Sequence, residues 1–457
     1  MTTTKQVEMS TTKKWINALL ILAGFLILFA STVRLLNWNV FAGFLNYRVP
    51  LLLDRLGLSH IGFQLNVNGI ISWLTLISIY FAVVLLLTQM RYLRTRKFWL
   101  ANIPLLALLA ITGLSYFWSV APGFTYSRFN LLLAGALGGV LMGLSLEAPR
   151  LRKVLEVFAV VLVIGNILLV LTKPEAPTTL IEIKNGVQVV AWYGLFSWKM
   201  PAGMMMGFAA VVFLFRVLDF KNEKWNGRIY GLIFFILSLG LTYKSLSMTE
   251  VLAVAAVIFV VILGTIFLKW GHFLKPIHWG LLVGLVVILL LVVWYERSFF
   301  LGLIGKSEQL TGRVPLWTSL VPIIKERLLF GYGFGEAFWK NSVYYQPIWD
   351  LFPTFLPVFA HNGFIEALMD NGIVGLLLWI VFLAQVAFLT LRFFFRKRTL
   401  SSLFFFSWVV FMVVMNVANN HLGSYETFTW LMLVISFAAM VRENIDRGSP
   451  VNPAQQV

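Results

Sequence analysis

Apolar runs long enough to cross a lipid bilayer recur along nearly the whole chain, and no other feature restricts its fold as strongly. A hydrocarbon core needs about 20 predominantly apolar residues per helix. About twelve candidates lie near 15–35, 68–90, 98–120, 129–146, 154–172, 203–218, 229–243, 251–268, 280–295, 372–395, 402–418 and 429–441. With 60% apolar and 12% charged residues, against about 25% charged in soluble domains, a soluble globular protein is excluded. The expected fold is an all-α polytopic integral membrane protein.

Charge distribution tests the helix count independently, because loops on the cytoplasmic side collect Lys and Arg. Starting from Lys5, Lys13 and Lys14, every second connection is basic. These connections carry Arg91, Arg94, Arg96 and Lys97, then Arg150, Arg152 and Lys153, then Lys221, Lys224 and Arg228, then Lys269 and Lys275. Arg392, Arg396, Lys397 and Arg398 follow, and finally Arg442 and Arg447. The alternation predicts that both termini are cytoplasmic and that the long loops 36–67, 173–202 and 296–371 face the periplasm or cell exterior. The expected organisation is a helical bundle over 1–295, a large extracytoplasmic loop over 296–371, three helices over 372–442 and a disordered cytoplasmic tail over 443–457. The N-terminal apolar run lacks a small-residue cleavage site and reads as a retained helix.

The excess of 36 basic over 19 acidic residues therefore belongs to topology and lipid headgroups, and no nucleic-acid partner is expected. The chain has no Cys, which removes disulfides, iron–sulfur clusters and a thiolate nucleophile. His60, His272, His278, His361 and His421 show no metal-ligand spacing, so neither a metal nor a cofactor is expected.

The outer loops hold the remaining polar chemistry. In the first, residues 51–64 (LLLDRLGLSHIGFQ) read as an interfacial amphipathic helix. The second contains WYGLFSWKMPAG, Trp192 to Gly203, in which Lys199 either joins the aromatic headgroup belt or meets an anion at a helix entry. The short turn from Thr242 to Glu250 places Lys244 and Glu250 at a depth where charges are paired or functional, unless Lys244 snorkels to the surface.

The third loop is the richest. Trp317, Leu320, Val321, Ile324 and Leu328 recur at helical spacing, which predicts an amphipathic surface helix over 315–329 with Thr311 as its N-cap. Arg313 then falls at or beside the first turn, where the helix dipole favours anions over cations. An Arg there, with free backbone N–H groups, suits a phosphate. GYGFG, Gly331 to Gly335, lacks the Lys-Ser/Thr of a phosphate-binding loop and reads as a tight turn. His361 stands at the membrane boundary beside Asn362, with Glu366 and Asp370 placed to orient it. Neutral imidazole suits a general base near pH 7. Gly372 and Gly375, three apart, let another backbone or a lipid chain approach closely.

The pattern H-N-x9-G-x-x-G, from His361 through Gly372 and Gly375, resembles the signature of the bacterial O-antigen ligase and polysaccharide polymerase superfamily. TGRVPLW with Arg313, FGYGFGEAFW and WYGLFSWKMPAG resemble its exopolysaccharide-polymerase branch. Trp198 and Met200 replace the His and Asn of that branch, and Met248 stands where its S-R-T or S-K-T element has a basic residue. That basic role is either lost or taken by Lys244.

The resemblance implies a metal-independent, inverting glycosyl transfer from an undecaprenyl-pyrophosphate-linked glycan to a sugar hydroxyl, outside the bacterial cytoplasmic membrane. It implies His361 and Arg313 as catalytic residues, and Lys199, Lys244, Asn362, Trp317, Tyr332, Trp339 and Glu366 as substrate-binding residues. Expected partners are the lipid-linked donor, a glycan or lipid-linked acceptor, membrane lipids, and flippase and chain-length-regulator proteins. Polymerase is the favoured activity, and ligation to lipid A core or another acceptor uses the same chemistry. A transporter is disfavoured, because transporters concentrate polar groups near the midplane and carry repeat symmetry.

Overall fold

A computed structural model of the chain describes residues 18–28, 77, 81–172, 179–184, 187–219, 223–270, 313–352, 356–420 and 427–448. Its helices are α1 (Ala18–Leu28), α2 (Phe81–Leu93), α3 (Arg96–Leu114), α4 (Pro122–Ser145), α5 (Ala148–Thr172), α6 (Lys199–Val217), α7 (Trp225–Lys244) and α8 (Met248–Trp270). They continue with α9 (Arg313–Glu326), α10 (Ser342–Leu351), α11 (Gly363–Lys397), α12 (Phe404–Ala418) and α13 (Thr427–Gly448).

Among the described residues, eight helices are long and apolar enough to cross a membrane: α3, α4, α5, α6, α8, α11, α12 and α13. The first two expected spans correspond to the shorter α1 and α2, and the seventh to α7. The span near 280–295 and the interfacial run 51–64 lie outside the described residues. The chain is a mainly helical, multi-pass membrane protein.

Two apolar cores organise the bundle. One is built by α5, α6, α8 and α12 around Phe158, Phe208, Val254 and Phe411. The other is built by α3, α4, α11 and α13 around Leu108, Trp379, Phe382 and Trp430. Lipid is as apolar as the side chains, so close packing must supply the attraction between helices. α4 and α13 show how: a Cβ added at Gly139 would lie 2.7 Å from Val434, and one at Gly143 2.6 Å from Ala438. Both contacts are impossible for any larger residue, so the glycines admit α13 directly against the backbone of α4.

At the far end of α11, Arg216 pairs with Glu156 and, at 3.0 Å, with Glu223, while Arg152 pairs with Asp219 and Glu223. A cavity of about 410 Å³ opens beside this network, lined by Arg152, Asp219, Phe215, Phe393, Lys397 and Ser402 among others. Its cations are already neutralised, Lys397 by Glu443 at 3.2 Å. The polar residues singled out in the outer loops lie at the other end of α11.

Two expectations are corrected. The chain is not wholly α-helical, because in the second outer loop β1 (Thr179–Lys184) and β2 (Val187–Trp192) pair antiparallel, with Lys184 opposite Val187 and Thr179 opposite Trp192. Both strands are rich in β-branched residues, which suit a pleated ladder. The tail does not become irregular at residue 443, because α13 runs to Gly448. Glu443 holds Arg447 one turn on at 2.8 Å and Lys397 across the helix pair, and Tyr92 donates to Asp446 at 3.1 Å.

Candidate active site

α11 is broken where its glycine pattern begins. Gly372 has φ +63° and ψ −164°, outside the range of ordinary L-residues, and a Cβ there would lie 2.3 Å from the Leu329 backbone. The break frees carbonyls that the preceding loop satisfies: Tyr332 N–H donates to Met369 O at 2.7 Å and Gly333 N–H to Asp370 O at 2.9 Å. In return Ile373 N–H donates to Leu328 O at 2.7 Å. The expected close approach at Gly372 is thus a backbone crossing, and it locks the GYGFG turn against α11. On its other side the turn meets the end of α3 and the start of α4, where Ser115 Oγ accepts from Phe334 N–H at 3.0 Å and Thr125 donates to Phe334 O at 3.0 Å.

This crossing gathers three carboxylates. Asp370 accepts from the backbone N–H groups of Gly335 and Glu336 at 2.9 and 3.0 Å. Glu366 accepts from Trp339 Nε1 at 3.0 Å and from Ala360 N–H. Glu336, in the left-handed region at φ +69°, accepts from Asn420 at 3.1 Å. All three are buried, and the guanidinium of Arg128 on α4 acts on Asp370.

Arg313 is the first described residue of α9; Thr311 lies outside the described residues. Its Nη1 donates to Ala418 O at 2.5 Å, a carbonyl at the C-terminus of α12, where the dipole welcomes a cation. Burial pulls its pKa below the ordinary arginine value, and the charge of Glu250 opposes that. Glu250, fully buried in the first turn of α8, accepts from Asn419 at 2.9 Å.

His361 precedes the N-cap of α11 in a left-handed conformation, φ +54°, with its ring 4.1 Å from that of Phe359. Burial first, then the charge of Arg313, pushes its pKa down to about 3. The imidazole is therefore neutral near pH 7. Asn362 caps α11, accepting from Phe364 and Ile365 N–H at 3.0 and 3.1 Å, and its amide donates to Val417 O at 3.0 Å.

The end of α12 is thus the hub of the site: Val417 and Ala418 carbonyls and the Asn419 and Asn420 amides hold α11, α9, α8 and the Glu336 turn. Asn416 packs against Gly363. Sequence reasoning missed this turn. The signal was present, since three asparagines close together at the end of an apolar run are costly at membrane depth unless they have work to do.

The expected substrate-binding residues divide. Tyr332 and Trp339 are buried in a small core with Leu316, Leu320 and Phe338, and Glu366 is fully buried against Trp339. The Tyr332 hydroxyl donates to Ile323 O at 2.8 Å, and burial, with Glu326 beside it, pushes its pKa up to about 12. Trp317 is half-buried and donates to Ala360 O at 2.7 Å. Lys244 is exposed, with its ammonium 5.4 Å over the Trp192 ring. Lys199 opens α6, and one turn on Gly203 packs against Ser245, Ser247 and Glu250. The start of α6 therefore lies beside the carboxylate that faces Arg313.

Comparison with known proteins bears out the resemblance. Residues 232–380 match the family model described as O-antigen ligase, a span holding Glu250, Arg313, Glu336, His361, Gly372 and Gly375. The exopolysaccharide production protein ExoQ of Rhizobium meliloti (strain 1021) is 32% identical over 94 residues. That alignment covers 20% of this chain and 21% of the relative's length.

Proposed function

We propose that this protein is a membrane glycosyltransferase of the O-antigen ligase and polymerase superfamily. In this reading it extends a surface polysaccharide by moving an undecaprenyl-pyrophosphate-linked glycan onto a sugar hydroxyl. The observation that carries it is that Arg313 and Asn362, the neighbour of His361, bind the adjacent carbonyls of Ala418 and Val417, which brings Arg313 and His361, 48 positions apart in the sequence, to one helix end. A pyrophosphate leaves readily once its charge is met. The acceptor oxygen bonds to the anomeric carbon as the bond to pyrophosphate breaks. The electron pair departs on the lipid pyrophosphate oxygen, whose charge Arg313 meets, with Lys199 at the nearest helix entry, and the hydroxyl proton passes to His361. Attack from the face opposite the leaving group inverts the anomeric centre, and no metal is required.

The matched family description favours the ligase as a second reading, since the same machinery serves a lipid A core acceptor. Deleting the gene separates them: accumulated single lipid-linked repeats mean polymerase, and a long lipid-linked chain means ligase. The loop 296–371 would carry the catalysis between the two bundle segments on the outer face of a bacterial cytoplasmic membrane. A reporter fused near Tyr344 is expected to be extracytoplasmic and one near Lys397 cytoplasmic. Both on one side would overturn the topology.

The depressed pKa of His361 sets the pH dependence. A base with a lowered pKa stays deprotonated, hence competent, as pH falls, and is lost only below that pKa. The acid limb of kcat/KM, which reports the free enzyme, is expected well below pH 6.5, toward 3. Bound pyrophosphate offsets the Arg313 charge, so the limb of kcat lies at higher pH. Coincident limbs near 6.5 would show that His361 is neither buried nor coupled to Arg313.

A further inference from the structure

We propose that Trp317 and Glu366 are positioning residues that clasp the Ala360 peptide and thereby fix the separation of His361 from Arg313. The inference rests on the reading of those two residues as base and anion-binding group.

Both polar groups of one residue, immediately before His361, are held from opposite directions. Ala360 N–H donates to Glu366, whose other oxygen accepts from Trp339 Nε1 at 3.0 Å. Ala360 C=O accepts from Trp317 Nε1 at 2.7 Å. Ala360 and Glu366 are fully buried, so water does not compete for either bond.

His361 needs such restraint, because a non-glycine residue at φ +54° persists only where its surroundings over-determine it. Trp317 is also four residues beyond Arg313 on α9, one helical turn away. Its single N–H therefore ties the helix that presents Arg313 to the peptide that presents His361. Packing alone does not require that bond, since Leu316 and Leu320, both fully buried, already anchor α9. Removing the indole N–H should leave α9 seated and lose its registration with His361.

The test uses the full-length protein in detergent with purified lipid-linked donor, comparing wild type, Trp317→Phe, His361→Ala and the double variant. Phenylalanine keeps an aromatic ring and removes the donor. Trp317→Phe is expected to lower kcat by about 10- to 100-fold, the cost of a small misplacement of reacting groups, with the KM for donor little changed. Its His361 imidazole, followed by NMR, should protonate at least about one pH unit nearer the ordinary value of about 6.5 than in wild type. In the His361→Ala background Trp317→Phe should have almost no further effect, because it acts through a side chain already gone. Glu366→Gln, which must set an amide N–H against the donor of Ala360 or Trp339, should behave alike.

Losses that multiply in the double variant, or an unmoved imidazole titration with wild-type kcat, would overturn the clasp. Wild-type turnover in His361→Ala would instead overturn the base assignment, whatever Trp317→Phe does.

Discussion

Replacing His361 with alanine is expected to lower glycosyl transfer by about 10²- to 10⁴-fold, the usual contribution of a positioned base, while membrane insertion and donor binding persist. A sugar hydroxyl is a poor nucleophile at neutral pH and needs its proton removed as it attacks. The buried carboxylates nearby do not stand in, because Glu366 is occupied by Ala360 and Trp339, and Asp370 by Gly335 and Glu336. His361→Gln keeps a hydrogen-bonding side chain but no titrating nitrogen, so it should not rescue transfer. Steady-state rates with purified donor and acceptor decide the matter. Wild-type turnover in His361→Ala would remove His361 from the role of base.

Arg313→Ala is expected to cost about 10²- to 10³-fold in kcat, the scale seen when a donor to developing negative charge is removed. Arg313→Lys should retain a measurable fraction. One arm of the guanidinium is spent on Ala418 O, which leaves the rest of the planar fork for an anion, whereas an ammonium offers only a point charge. Because Glu250 and the end of α12 both face this cation, the alanine variant must be checked for normal expression and monodispersity before its rate is interpreted. Full activity in a well-folded Arg313→Ala protein would make Arg313 a structural cation alone.

Much of this was legible in the sequence, for identifiable reasons. Hydropathy marks spanning helices because lipid tolerates few polar groups, and eight of the expected segments overlap described helices long and apolar enough to cross a membrane. Arg313 could be placed at a helix start because Trp317, Leu320 and Ile324 fix the helical phase. The hairpin was equally legible: Asn185 and Gly186 between two alternating β-branched runs are a strong short-range turn signal, hidden when the loop is read for hydropathy alone. The carboxylate cluster was not legible. Glu336, Glu366 and Asp370 converge only because Gly372 interrupts α11 and frees the carbonyls that the GYGFG turn caps, and no local pattern encodes that crossing. The inward orientation of Tyr332 and Trp339 follows from the same event.

The turn at the end of α12 has a consequence for the order in which the protein becomes active. Ribosomes deliver the chain from its N-terminus, so Glu250, Arg313, Glu336 and Asn362 are all made before Val417, Ala418, Asn419 and Asn420 exist. The groups that hold those four residues in register arrive with the next-to-last described helix. A nascent or prematurely terminated chain therefore carries the reactive side chains without the brace that aligns them. On the proposed reading, biosynthesis itself withholds activity until the bundle is nearly complete.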